Sequence, residues 1–310
     1  MTDQTTSPVD DDIEIKKKKR WPWIAAAVVV VLVIAGGIGY AKFSNEDKPF
    51  GTNLKVATWS TDIAAENLLK FITDEVAPAH GITIEPTKID NLIEINRAVD
   101  AGTVAGNFFE HQPFLNDAIA ANGFKLTLAA PTFTWDQATY SDKYRSWDQV
   151  PGGAKIALRD DPAGQAIALL DLAHDKQITL KPGKDTLSGL PQLGDIQTNP
   201  KNYQFVQVPI GQLARSLADV DAIVVHISDV YAAGLTEKQI IAREPAPKGS
   251  EGGLVVSDKH LDDPNVQKLI ATFKDPKIAE FLQTTDNQLI RNTLGPIDAG
   301  SPSEQQATTP

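Results

Sequence analysis

The sequence predicts an α/β protein of two lobes joined by crossovers, on three observations. Apolar runs of strand length alternate with amphipathic stretches of helix length from residue 54 onward, the pattern of βαβ units around a parallel sheet. Two such sets follow one another, over 54–138 and 154–229, and strand and helix return once more after 230. A length of 310 residues with 42% hydrophobic residues is enough for two cores of ordinary domain size. This divides the chain into a first lobe at 54–138, a second at 139–229 and a return to the first at 230–297. A cleft between two such lobes is a usual place for a small ligand.

The elements follow in order. Residues 1–20 form a polar tail that closes on the basic run Lys16-Lys17-Lys18-Lys19-Arg20. Residues 21–41 carry no charge, and Val28 to Ile34 is continuously aliphatic. About 20 such residues cross a bilayer, and a basic flank stays on the cytoplasmic side. The reading is therefore a transmembrane signal-anchor at 21–41, single-pass in the cell membrane, with the C-terminal domain extracytoplasmic. Trp21, Trp23 and Tyr40 sit where interfacial aromatics belong. The competing reading is a cleaved signal peptide ending at Gly39-Tyr40-Ala41, although the run is long for the apolar part of a signal.

A polar linker at 42–53 leads into a strand at 54–59. Ser60, Thr61 and Asp62 are N-cap candidates for a helix running to about residue 79, which Gly81 stops. A strand at 82–86 and a helix at 92–101 come next, closed by Gly102. Val104 to Phe109 is long enough for one buried strand; Glu110, His111 and Gln112 follow it, and Pro113 suits a first helical turn. His111 thus stands at a strand's carboxyl end beside a helix start, where open α/β sheets bind ligands. A strand at 124–133 leads to a loop holding Trp135, Tyr140 and Tyr144. The second set has strands at 154–158, 205–208 and 222–227, a helix at 164–174, a loop rich in Gly and Pro to residue 200, and a short helix at 212–217. A turn at 231–235, a last strand at 254–256, helices from 264 and over 277–283, and a polar tail at 298–310 complete the chain.

A net charge of −11 argues against a nucleic-acid partner, which wants a basic face. The absence of Cys excludes disulfides, thiolate metal sites and a lipid-bearing Cys in these residues. The histidines at 80, 111, 174, 226 and 260 include no H-x-x-x-H pair, which argues against a zinc site. No Ser/His/Asp spacing supports a triad. These absences argue against a metal or cofactor and make an enzyme on this two-lobe fold the less favoured reading.

Asn96 with Ala98, then Gly102, Asn107, Phe109, His111 and Pro113-Phe114-Leu115 resemble a motif of the NlpA lipoprotein family, the methionine-binding substrate-binding proteins of bacterial ABC importers. The similarity continues through Tyr140-Ser141-Asp142-Lys143-Tyr144, Asp161-Pro162, Asn199-Pro200-Lys201-Asn202, Gln212-Leu213, Asp221-Ala222, Tyr231-Ala232 and Asp263-Pro264, and covers 54–297 in order. It implies a two-lobe periplasmic-binding-protein-like (type II) fold with a hinge. It also implies a receptor that hands methionine or a related amino acid or small peptide to an ABC permease and its ATPase.

The chain departs from the family at telling places. The family's anchor is a lipidated Cys, for which the 21–41 segment looks like the substitute. The family's Asp-Pro motif continues with an Asn and an Arg that looks like the partner of the ligand carboxylate; here these are Gly164 and Ile167. Ser228 stands for a family Asn, and Leu92 for a family Tyr. Arg159, two residues before Asp161, is the candidate replacement cation. The candidate ligand-binding residues are Trp59, Asn96, Phe109, His111, Trp135, Tyr140, Arg159, Asp161 and Ser228. Phe109 and Trp135 would wall an apolar side chain, and Asp161 would receive an ammonium or cap its helix. His226 reads as a core histidine. The alternative function is a diverged ligand-binding or surface interaction module without transport.

Overall fold

The computed structural model describes residues 49–297, apart from Ala232, Pro245 and the side chain of Asn292. The expected anchor at 21–41 and both polar tails lie outside the described residues. Among the described residues no helix is long and apolar enough to cross a membrane.

In chain order the strands are β1 (Asn53–Trp59), β2 (Thr83–Ile89), β3 (Gly106–His111), β4 (Leu126–Trp135), β5 (Gln137–Tyr140), β6 (Lys155–Arg159), β7 (Thr179–Leu180), β8 (Ile196–Thr198), β9 (Gln204–Val208), β10 (Ala222–His226), β11 (Ile240–Glu244), β12 (Gly252–Ser257) and β13 (Leu294–Pro296). The helices are α1 (Ile63–Phe71), α2 (Leu92–Asp100), α3 (Gln112–Asn122), α4 (Pro162–His174), α5 (Ile210–Ser216), α6 (Ile227–Tyr231), α7 (Pro264–Phe273), α8 (Pro276–Thr284) and α9 (Gln288–Thr293).

Local chemistry sets most boundaries. Asp62 caps α1 by accepting from the Ala65 N–H, and the chain continues through a π turn (Ile72–Val76) into a 3-10 turn (Ala77–His80). Pro78, which has no N–H to donate, lies in that tightened turn, and Gly81 at φ 69° ends it. Asn91 caps α2 with bonds from the Ile93 and Glu94 N–H groups.

The first sheet has the order β13-β4-β12-β3-β1-β2 and the second β11-β5-β10-β6-β9. β1 runs parallel to β2 and β3, with Leu54 beside Ile84 and Val56 beside Gly106. β12 lies antiparallel to both β3 and β4, so β1, β3 and β4 point the same way. In the second sheet β6 runs parallel to β9 and β10, and β5 is antiparallel to β10 with Gln137 opposite His226. Both sheets are mixed rather than purely parallel. The strands that cross between lobes, β5 and β12, are antiparallel to their neighbours, as is the terminal strand β13.

Each sheet is covered on both faces. Leu54, Val56 and Phe108 pack with Leu68 and Leu69 of α1 and Phe273 of α7, while Ala57, Val255, Ile95 and Leu115 fill the opposite side. In the second lobe Ile156 and Leu158 meet Leu169 and Leu172 of α4, and Ala157 and Ile223 meet Leu213 of α5.

The sheets relocate two expected boundaries. β5 begins at Gln137 and is the second sheet's, and β11 pairs with β5 over Gln137↔Glu244, so the chain stays in that sheet beyond residue 230. It rejoins the first sheet at Gly252. Trp135 and Tyr140 are strand residues, 4% and 1% exposed, rather than loop residues. The strands β5, β11 and β13 and the helix α9 had no clear periodic signature because each is short.

Candidate functional site

The geometry of the cleft follows from strand direction. β1, β3 and β4 end at Trp59, His111 and Trp135; β6, β9 and β10 end at Arg159, Val208 and His226. All these carboxyl ends, or the residues just after them, converge on one pocket, as open α/β sheets arrange their ligand sites. The first lobe contributes Trp59, Asp62, Leu92, Phe109, Glu110, His111, Phe114 and Trp135, and the second Arg159, Ile210, His226 and Asp229. The space between these walls, including solvent at the mouth, is about 370 Å³.

One wall is aromatic. Trp135 lies edge-on to His111 (5.9 Å between centroids) and to His226 (5.5 Å), and the two imidazoles stack at 6.1 Å. Trp135 Nε1 donates to Asp62 Oδ2 at 2.9 Å, which anchors the ring to the start of α1. Gly252 of β12 lies against the ring, and a Cβ there would overlap its six-membered edge. Trp59 is held by its Nε1 donating to the Asp90 carbonyl at 3.2 Å.

Beneath the floor lies a buried amide–carboxylate network. Asn96 Nδ2 donates to Glu110 Oε2 at 3.0 Å, and Asn107 Nδ2 donates to Glu110 Oε1 at 2.8 Å and to Asn96 Oδ1 at 2.7 Å. Burial pushes the Glu110 carboxyl up to about 7, against the two amides that favour its charged form. His111 caps α3 by accepting from the Phe114 N–H at its Nδ1 (3.2 Å), so in this arrangement its proton sits on Nε2. Burial, with the Arg159 charge nearby, lowers its pKa to about 4.

Arg159 supplies the cation. It is 6% exposed, and its Nε donates to Asp161 Oδ2 at 2.6 Å. Asp161 uses its other oxygen to cap α4 through the Gly164 N–H at 2.8 Å. Burial acts to raise the Asp161 pKa, but the Arg159 charge and the cap hold it below the usual carboxylate range. The guanidinium runs directly over Gly164, where a Cβ would overlap Nε and Cδ. The glycine thus leaves open the volume the arginine fills.

Asp229 faces the same pocket. Burial first, then the Asp62 charge, raise its pKa to about 7 despite Arg159. Three buried polar atoms around the pocket have no hydrogen-bond partner in the described structure: His226 Nε2, Ser228 Oγ and Asp229 Oδ2. Such atoms are costly to bury unpaired and mark a place for a complementary ligand.

Of the residues expected from sequence, Trp59, Phe109, His111, Trp135 and Arg159 line the pocket. Asn96, Tyr140, Asp161 and Ser228 do not. Asn96 braces Glu110 from behind, Asp161 orients Arg159, and Ser228 is buried at the start of α6. Tyr140 packs in the second core with Ala157 and Ile223. The pocket is also lined by Asp62, Leu92, Glu110, Phe114, Ile210, His226 and Asp229, which are not among the expected ligand-binding residues. Most follow a strand's carboxyl end within three residues, a positional signal available from the strand assignments. His226 is no satisfied core residue, because its Nε2 is unpaired.

The NlpA lipoprotein family profile matches residues 54–292. D-methionine-binding lipoprotein MetQ of Salmonella typhi is 34% identical over 222 residues, 70% of this chain and 81% of that protein. Among solved structures, a nutrient binding protein from Burkholderia cenocepacia bound to methionine matches with a TM-score of 0.68 and 28% identity, covering 79% of this chain and 100% of that one. An ABC transporter periplasmic substrate-binding protein from Coxiella burnetii matches with a TM-score of 0.69 and 25% identity, covering 79% and 100%. The architecture is thus the two-lobe periplasmic-binding-protein-like α/β fold, and by profile and by sequence identity the chain belongs to the NlpA lipoprotein family.

Proposed function

We propose that this chain is the extracytoplasmic substrate-binding protein of an ABC importer and holds methionine or a closely related amino acid between its lobes. The observation that carries the reading is the pairing of a buried cation with an unpaired carboxylate oxygen in one aromatic pocket. Arg159 would receive the ligand carboxylate, Asp229 Oδ2 the ammonium, and Trp59, Phe109, Phe114 and Trp135 the apolar side chain. A thioether against aromatic rings adds a modest, orientation-dependent attraction. Arg159 does from a strand end what the family does from the helix position that is Ile167 here, and Ile167 packs with Ala166 and Leu187. Binding and release need no nucleophile, and closure of two lobes on a ligand suffices to signal a permease.

The anchoring part of the reading rests on sequence. The relative in Salmonella typhi is named a lipoprotein, whereas these 310 residues contain no Cys to carry a lipid. The charge-free run at 21–41 behind a basic flank would hold the receptor at the membrane, with the lobes outside.

The test is native purification followed by denaturation and mass spectrometry of whatever is released, with calorimetric titration of L- and D-methionine. Stoichiometric methionine, or saturable binding of one enantiomer over the other, is expected. A different solute would mean that the fold was kept and the specificity changed. No ligand and no binding across an amino-acid panel would favour the interaction-module reading, for which Ile167 at the family's Arg position is the one supporting observation.

A further inference from the structure

Away from the cleft, the far end of α4 meets the far end of β11. His174 is the last residue of α4, Asp175 follows it as the C-cap, and Glu244 is the last residue of β11. His174 Nδ1 lies 2.5 Å from Glu244 Oε2 and 3.7 Å from Asp175 Oδ1. One ligand atom from each of the three residues lies within 4.8 Å of the other two. Donor atoms bound to one four-coordinate ion at ~2 Å sit roughly 3–4 Å apart, so small side-chain adjustments meet that spacing.

A second observation points into the same spot. Asp171 stands one helical turn before Asp175, on the same face of α4. It is 3% exposed, its Oδ2 has no hydrogen-bond partner, and its charged neighbours are Glu244 and Asp175. Asp175 is oriented from outside by Trp147 Nε1, which donates to its Oδ2 at 2.6 Å and leaves Oδ1 on the His174 side. Three carboxylates and one imidazole therefore converge, with more acceptors than protons to share among them.

We propose that His174, Asp175 and Glu244, backed by Asp171, bind one divalent transition-metal ion of the zinc class. Mixed imidazole and carboxylate donors suit Zn²⁺, Co²⁺ or Ni²⁺, whereas Ca²⁺ and Mg²⁺ prefer oxygen-only sets. The ion would replace the proton between His174 Nδ1 and Glu244 Oε2, so binding releases protons to the buffer. Glu244 is the last strand residue before the chain leaves for the first lobe, and α4 is capped by Asp161, which holds Arg159 beside the cleft. The ion would fasten the helix whose cap orients the pocket's cation to the strand that leads out of the lobe.

The experiment uses the untagged full chain, stripped with a chelator and titrated with Zn²⁺ by calorimetry in two buffers of different ionisation heat, and with Co²⁺ by visible absorption. One ion per chain, proton release, and a Co²⁺ spectrum of nitrogen–oxygen coordination are expected. His174→Ala, at a side chain 64% exposed, leaves the core intact and should weaken binding about tenfold or more, as should the isosteric Glu244→Gln. His80→Ala, remote in sequence and paired with Asp275, should change nothing. Absence of saturable binding, or equal affinity in wild type and His174→Ala, would overturn the proposal and leave the cluster as a hydrogen-bonded staple.

Discussion

Arg159 is a buried guanidinium with one carboxylate on its Nε and the cleft before it. A planar fork of this kind grips a carboxylate through two parallel bonds, which a lysine cannot reproduce. Truncating one partner of a buried charge pair costs about 2–5 kcal/mol, so Arg159→Gln should weaken methionine binding by at least about 30-fold in calorimetry. Its melting temperature should fall as well, because Asp161 loses its buried partner and keeps only the cap on Gly164. Asp229 makes a separate prediction. Its carboxyl titrates at about 7, because burial and Asp62 raise it and Arg159 only partly compensates. If it receives the ammonium, affinity should rise with pH up to about 7 and level off above, and Asp229→Asn should both weaken binding and flatten the profile. For the unliganded protein the sign is opposite. Asp229 and Glu110 hold a proton in the folded state where the unfolded chain has lost it, so their contribution to stability declines as pH rises from the ordinary carboxylate range to about 7. Urea melts of Glu110→Gln and Asp229→Asn against wild type across that window would read the slope.

At the scale of the element, the start of α4 does two jobs at once. Asp161 caps the helix and fixes Arg159, while Gly164 leaves room for the guanidinium. Gly164→Ala should therefore weaken ligand binding. Ala in place of Gly favours a helix by about 0.5–1 kcal/mol, but the new methyl would overlap Arg159 from its Cβ to its Nε and push it out of position, which offsets that gain. Unchanged affinity in calorimetry would show that Arg159 has no fixed role in the cleft. The start of α3 is a second such case. His111 accepts the Phe114 N–H and also forms part of the aromatic wall. His111→Asn keeps a capping acceptor and should lose affinity with little change in melting temperature, whereas His111→Ala should lose about 1 kcal/mol of stability as well.

Across the whole molecule, the lobes are joined at Asp136 and again between β11 and β12. The Asp136 N–H donates to the Thr293 carbonyl of the first lobe, and its own carbonyl accepts from the Ile227 N–H of the second. One peptide segment thus belongs to both lobes, and rotation about it would open the cleft with little rearrangement inside either core. A ligand held by groups from both lobes stabilises the assembly by mass action, by about 2.7 kcal/mol at a hundredfold excess over Kd. Methionine at that excess should raise the melting temperature of the wild type and leave that of Arg159→Gln almost unmoved.

The sequence by itself determined the α/β class, the order of the long strands and helices, and the caps and glycine stops, because these depend on periodicity and chemistry within a few residues. The motif around His111 also identified the family, and strand ends pointed to Trp59, His111 and Arg159. Tertiary structure decided what depends on pairing between distant segments. Only the sheet register assigns Ile240–Glu244 to the second lobe, since a short strand belongs wherever its backbone finds partners. Only the convergence of the two sheets turns His226 from a residue on an apolar strand into a wall of the cleft and makes an unpaired acceptor of Asp229. His174 and Glu244 likewise lie 70 positions apart, and no local spacing rule connects them. Local sequence sets where a side chain leaves its own element, and the packing of elements sets what it meets.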